Sequence, residues 1–131
     1  MSELGVVRFE LGLKPAQRDP RAESVVRSAE RHLGLRVTRA RTRDVYRLLA
    51  DVTGAEAERV LGELIDPVLQ TGALGRLDDG PFDVAVTVAY KPGVTDPVGK
   101  SALVAVSDML GRKLPRQSAL FTSTLYLFDG V

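Results

Sequence analysis

The sequence contains the same landmarks twice, in the same order and at nearly constant separation. Lys-Pro, Asp-Pro and Leu-Gly dipeptides begin at positions 14, 19 and 33, and they begin again 77 residues later at positions 91, 96 and 110. A Thr-x-x-x-Tyr motif begins at Thr42 and again at Thr122, a separation of 80 residues. Repetition of this kind restricts the fold to one built from similar units. We interpret residues 1–77 as a first unit and residues 82–131 as a second unit produced by duplication.

Each unit opens with a predicted strand and helix. Apolar side chains alternate with others over residues 7–13 and 84–90, which is the period of a half-buried strand. The Asp-Pro pairs supply an N-cap and a first helical residue, and Gly34 and Gly111 suit the left-handed position after a helix. The apolar stripes of the two helices are Ala22, Val25, Val26, Ala29 and Leu33 in the first unit, and Ala102, Ala105, Val106, Met109 and Leu110 in the second.

A long strand follows each helix, over residues 37–52 and 120–128. In the first unit Thr53 and Glu56 then form a capping box for a second helix, which Asp66-Pro67 ends. The buried stripe of that helix is Ala57, Val60, Leu61, Leu64 and Ile65. Residues 68–77 can form a short strand, and residues 78–81 a turn into the second unit.

The second unit is predicted to be incomplete. The counterpart of Thr53 would lie near position 133, and the sequence ends at Val131. The order of elements is strand-helix-strand-helix-strand and then strand-helix-strand. It predicts an α+β fold with a mainly antiparallel sheet and helices packed on one face.

The composition offers little for catalysis or for nucleic-acid binding. Cysteine is absent, which excludes thiolate nucleophiles and disulfides, and His32 is the single histidine. The net charge is +1 and aromatic residues make up 5%, a poor supply for binding polyanions or stacking bases. No apolar stretch approaches membrane length, and the N-terminus lacks a signal-peptide pattern. We expect a cytoplasmic chain without a cofactor, a metal, a nucleic-acid partner or a membrane partner.

Three site-like features have simpler structural interpretations. Gly99-Lys100-Ser101 resembles the end of a phosphate-binding loop but lacks the earlier glycine, so a helix start is favoured. His32 corresponds to Met109 in the second unit, which predicts a packing position at the edge of the core. Asp44 and Tyr46 share a strand face with Thr42, and hydrogen-bonded sheet residues are favoured over an acid–phenol pair.

The first long strand carries a ladder of arginines on one face: Arg39, Arg41, Arg43 and Arg47. Either this ladder is a solvated strand face that resists edge pairing through its charge, or it binds an anionic partner. At a separation of 80 residues the same face of the second unit is apolar, through Phe121, Leu125 and Leu127. These side chains should be covered by an absent C-terminal helix, a second copy or a partner domain. Lys14 and Lys91, which turn chemistry leaves unexplained, are further candidate partner contacts.

The order of these motifs resembles the PurS-like module. The closest local match is Tyr90-Lys91-Pro92-Gly93-Val94-Thr95-Asp96-Pro97-Val98-Gly99-Lys100, extended by Leu110-Gly111-Arg112-Lys113-Leu114 and Tyr126-Leu127. The resemblance covers nearly the whole chain, and the tandem arrangement is similar to the modules fused to the synthetase. It departs from them in the incomplete second unit.

The resemblance implies a part of phosphoribosylformylglycinamidine synthase, an ATP-dependent, glutamine-using ligase of purine biosynthesis. In that family the module is not the catalyst. It docks the glutaminase component onto the synthetase component and helps shape the route of ammonia. These components are therefore the expected partners, together with a possible homo-oligomer. A small ferredoxin-like regulatory module, binding a ligand or forming oligomers, is the alternative.

Overall fold

The computed structural model describes residues 4–78 and 80–131, which form five strands and three helices. The elements are β1 (Gly5–Leu13), α1 (Pro20–Leu33), β2 (Arg39–Ala50), α2 (Gly54–Leu64), β3 (Gln70–Leu74), β4 (Val84–Ala89), α3 (Pro97–Leu110) and β5 (Ala119–Asp129). The strands form one sheet in the order β3-β1-β2-β5-β4, and all neighbours are antiparallel. The predicted α+β class is confirmed. The turn predicted at 78–81 includes residue 79, which lies outside the described residues.

Helices α1 and α3 are fastened to the sheet by the same arrangement. The Oδ1 atoms of Asp19 and Asp96 cap the first turn of α1 and α3 respectively. Asp19 Oδ2 accepts from the backbone N and Oγ1 of Thr42 on β2, at 2.8 and 2.6 Å. Asp96 Oδ2 accepts from the same two atoms of Thr122 on β5, both at 2.7 Å. Each carboxylate therefore joins a helix start to the middle of a strand, and we call these two groups the Asp–Thr clamps.

The strand register places all three helices on one face of the sheet. Phe9 on β1, Leu48 on β2 and Leu120 on β5 share this helix face, as the pairing of Leu48 with Leu120 shows. They form the main core with Val60 of α2 and Val106 of α3, and all five are 4% exposed or less. The core therefore lies under α2 and α3, mostly over β1 and β2.

The connection from β3 to β4 crosses the other face, because these strands lie at opposite edges of the sheet. The backbone N of Leu77 donates to Glu10 Oε2 at 3.0 Å, and Arg41 Nη2 donates to the Pro81 carbonyl at 3.0 Å. Glu10 and Arg41 both lie on this face. We call it the open face, because the described helices all lie on the opposite one.

Gly99 lies where α3 approaches β5 most closely. A Cβ atom at this position would lie 2.1 Å from the carbonyl oxygen of Leu120, which belongs to the backbone and has little room to move. We predict that Gly99→Ala lowers the free energy of unfolding by roughly 1–3 kcal/mol through overpacking. Gly62 in α2 is the control, because nothing lies within 4 Å of its added Cβ. Gly62→Ala should stabilise by up to about 1 kcal/mol in urea unfolding. Equal effects at the two sites would contradict this account.

Candidate interaction surface

Helices α1 and α3 begin at the same Asp–Thr clamp arrangement but have different surroundings. Met109 and Leu110 of α3 pack against the core that contains α2. Their counterparts on α1, His32 and Leu33, are exposed, with Leu33 at 70%. The predictions that His32 lies at the core edge and that Leu33 belongs to a buried stripe are therefore wrong. The physical reason is that α2 covers this part of α3, whereas no element in the described ranges covers α1 in the same way.

A groove of about 500 Å³ follows the exposed side of α1. Val25 and Leu33 of α1 line one wall, Val84 and Val86 of β4 line the other, and Phe128 of β5 lies between them. Val84 and Val86 remain 42% and 44% exposed. The lining is almost entirely apolar, and we call this surface the α1–β4 groove.

The α1–β4 groove corresponds, position by position, to part of the main core. Val86 is the counterpart of Phe9, at a separation of 77, and Phe128 is the counterpart of Leu48, at a separation of 80. Phe9 and Leu48 are both fully buried. In the first unit α2 and β3 complete this arrangement, since α2 packs on the core and β3 pairs with β1. The groove is thus core-like surface that the described residues leave accessible.

An ion cluster holds α2 in place through Arg112, which lies in residues 82–131. Arg112, in the loop after α3, donates from Nε to Glu56 Oε2 at 3.0 Å and from Nη1 to Asp51 Oδ1 at 3.1 Å. The hydrogen bond from Arg112 and a backbone hydrogen bond from Thr53 lower the pKa of Glu56 to about 2. Sequence reasoning found Glu56 only as a capping residue and missed its partners, which are distant in sequence.

The counterparts of Arg112 and Asp51 are apolar. Arg112 corresponds to Leu35, and Asp51 corresponds to Val131, at the same separations of 77 and 80. Leu35 and Val131 both line the α1–β4 groove. The charged contacts that hold α2 are therefore replaced by additional apolar surface at the α1–β4 groove.

The open face holds the other predicted contact residues, and it is partly covered within the chain. Leu127 is 1% exposed, whereas Phe121 is 56% exposed and Leu125 is half-buried. A helix equivalent to α2 would lie on the helix face, so it would not cover this stripe. The expectation that an absent C-terminal helix covers Phe121, Leu125 and Leu127 is therefore wrong. Phe121 is the most accessible of the three side chains.

Most of the arginine ladder is engaged by neighbouring groups on or beside the open face. Arg39 contacts Asp129 Oδ2 at 3.0 Å, and Arg41 approaches the same oxygen at 3.7 Å. The Arg43 side chain lies over Gly12, where an added Cβ would be 2.7 Å from Arg43 Cδ. These contacts support a structural role for much of the ladder. Arg47, paired in register with Arg8 and Phe121, is exposed.

The lysines that follow β1 and β4 differ in their surroundings. Lys14 Nζ donates to the carbonyl of Pro67 at 2.7 Å, which ties the end of β1 to the turn before β3. Lys91, its counterpart, is exposed just after β4. The turn and capping residues around Lys14 do not account for its charge. The structure shows that this side chain has a hydrogen-bond partner within the chain.

The remaining site-like features have structural partners. Asp44 Oδ1 accepts from Arg21 Nη1 at 2.9 Å, which agrees with the sheet-residue interpretation of this carboxylate. Burial and the nearby Asp44 raise the pKa of Tyr46. Gly99, Lys100 and Ser101 lie in the first turns of α3, where Asp96 already caps the helix N-terminus.

Within residues 4–78 and 80–131, no group of three or more acidic or histidine side chains could hold a metal ion. In the same part of the chain, the helices are too short or too polar to cross a membrane. No protein-family model, curated protein or solved structure matches the chain significantly.

Leu33 and Leu110 give a direct test of the difference between the two helices. Leu33→Ala should change the free energy of unfolding by no more than about 0.5 kcal/mol, because the side chain is already exposed. Leu110→Ala should cost roughly 1–3 kcal/mol, because it removes packing against the core. Urea unfolding in dilute solution measures both. A cost at Leu33 as large as that at Leu110 would show that the groove is filled in solution.

The carboxylates of the Asp–Thr clamps and of the ion cluster predict acid sensitivity. Burial acts to raise the pKa of Asp19 and Asp96, but hydrogen bonds from the capped turn and from Thr42 or Thr122 outweigh it and lower both values. The pKa of Glu56 is also lowered. Since the folded pKa values lie below the unfolded ones, this stabilisation is present above about pH 4.5 and is lost as pH falls toward about 2.

Glu56→Gln tests the charged part of this effect. Glutamine can still complete the capping box, but it removes the charge that faces Arg112. We predict a lower urea midpoint for the variant at pH 7 and a smaller fall in that midpoint between about pH 5 and pH 2.5. Parallel pH profiles for the variant and the parent chain would contradict the assignment.

Proposed function

We propose that this chain is a non-catalytic assembly module of phosphoribosylformylglycinamidine synthase, acting in the cytoplasm in de novo purine biosynthesis. In this proposal it bridges the glutaminase and synthetase components and supports the passage of ammonia between them. The motif order that resembles the PurS-like module and the antiparallel α+β fold support the proposal. The observation that carries it is the α1–β4 groove, an exposed apolar surface built from core-like positions.

The chemistry of the groove favours docking over catalysis. Its walls are formed mainly by Val, Leu and Phe side chains, with Ser28 and His32 as the polar contributors. Exposed contiguous apolar surface on a globular domain is typical of protein interaction sites. Glutamine hydrolysis through a thioester requires a cysteine, and the sequence contains none, so in this proposal the glutaminase component supplies it.

The decisive experiment reconstitutes the enzyme from this chain and the glutaminase and synthetase components of the same organism. We expect the chain to be required for glutamine-dependent product formation and not for product formation from added ammonia. This difference follows because an assembly module acts on ammonia delivery rather than on the ligase reaction. Equal glutamine-dependent rates with and without the chain would refute the proposal.

A pair of charge substitutions on α1 identifies the surface. Leu33→Glu places a carboxylate in the groove and should reduce co-purification with the two components about tenfold or more. Arg27→Glu also adds a carboxylate to α1, but Arg27 is exposed and does not line the groove, so binding should be retained. Equal binding by the two variants would place the interaction elsewhere.

The groove also suits a second candidate function. A volume of about 500 Å³ lies within the range of small-molecule sites, and the apolar lining would select an apolar ligand. That observation favours a small regulatory module. A thermal-shift screen separates the alternatives, because stabilisation by a metabolite without binding to either enzyme component would favour the regulatory module.

A further inference from the structure

β4 is an edge strand without the features that normally prevent strand pairing. All six of its residues, Val84–Ala89, are exposed, and the segment Val-Ala-Val-Thr-Val-Ala contains neither charge nor proline. Edge strands with these properties readily pair with another chain. The other edge strand, β3, has five residues and includes Gly72, and Ile65 of the α2 C-terminus packs against that glycine. Of the two edge strands, β4 is therefore the one more prone to pair with another chain.

The residues that flank β4 make it complementary to itself. Asp83 precedes the strand and Lys91 follows it after Tyr90. If two copies pair antiparallel with Thr87 opposite Thr87, then Asp83 of each copy lies opposite Lys91 of the other. Opposite charges facing each other across a strand pair are stabilising, and here symmetry supplies the pair twice. Pairing centred on Val86 or Val88 does not bring these charges together.

The same register continues the α1–β4 groove across the symmetry axis. Val86 of one copy lies opposite Val88 of the other, and both side chains belong to the helix face. These valines are 44% and 56% exposed in the single chain. Pairing therefore removes apolar surface from water on the helix face while it satisfies the outer backbone groups of β4.

We propose that two copies of this chain associate through β4, in an antiparallel pair centred on Thr87, to form a continuous ten-stranded sheet. The inference rests on the β4 edge and its flanking charges, and it does not depend on the proposed enzymatic role. The second copy is the occupant that the charges favour, because a strand pairing with this edge in the same register should carry a base opposite Asp83 and an acid opposite Lys91. The chain itself provides both.

Sedimentation velocity of the full chain over about 1–100 µM tests the proposal. The expected mass is twice that of the 14.2 kDa chain at the upper concentrations. Thr87→Lys places two ammonium groups opposite each other at the axis and should weaken the dimer on the order of a hundredfold. Thr71→Lys is the matched control, since it makes the same change on the exposed open face of β3 and should leave the dimer intact.

Lys91→Glu provides a second test outside the strand, where folding is least disturbed. It opposes Asp83 with a like charge and should weaken the dimer several-fold, whereas Lys91→Arg should retain it. Circular dichroism is the check that each variant is folded. A wild-type chain that stays monomeric throughout, or a Thr87→Lys variant as dimeric as Thr71→Lys, would overturn the proposal. Binding of an enzyme component at β4 by a monomeric chain would overturn it too, while leaving the assembly role intact.

Discussion

The fold depends on two carboxylates that each bind a helix and a strand at once. Asp19 and Asp96 cap α1 and α3 through one oxygen and hold Thr42 and Thr122 through the other. Hydrogen bonds to a charged acceptor are among the stronger ones in proteins, each contributing about 1.5–3 kcal/mol. Because β2 and β5 are also neighbours in the sheet, the two clamps place both helices relative to one central strand pair. The other strands and α2 lie around this strand pair.

The elements that cover the sheet differ on the two sides of this strand pair. Beside β1 the chain supplies α2 and β3, and Arg112 holds α2 through Glu56 and Asp51. Beside β4 the corresponding surface stays accessible. Burying such an accessible apolar surface against a partner that excludes water from it lowers the free energy. The difference between the two sides therefore identifies a candidate interaction surface more directly than any single side chain does.

Local signals in the sequence were sufficient to predict the helices and strands. The caps at Asp19, Thr53 and Asp96 and the left-handed glycines after α1 and α3 all lie where the sequence predicts them. The candidate site was less predictable, because exposure depends on contacts between distant elements. His32 and Leu33 carry the pattern of a buried face, and the pattern alone does not reveal whether a neighbouring helix covers it. The same limit applies to Leu127, which is 1% exposed although it lies on the open face.

The ion cluster and its apolar counterparts make contacts of different kinds. Arg112 gains its charged hydrogen bonds only when α2 is in one position, so these contacts specify a single arrangement. Leu35 and Val131 impose no such geometry, because apolar contacts are non-directional and tolerate different partners of similar shape. A helix that covers the core permanently, as α2 does, is stabilised by the first kind of contact, which specifies one arrangement. In the proposed dimer, the backbone of β4 sets the direction of pairing, so the apolar surface beside it requires only the second kind.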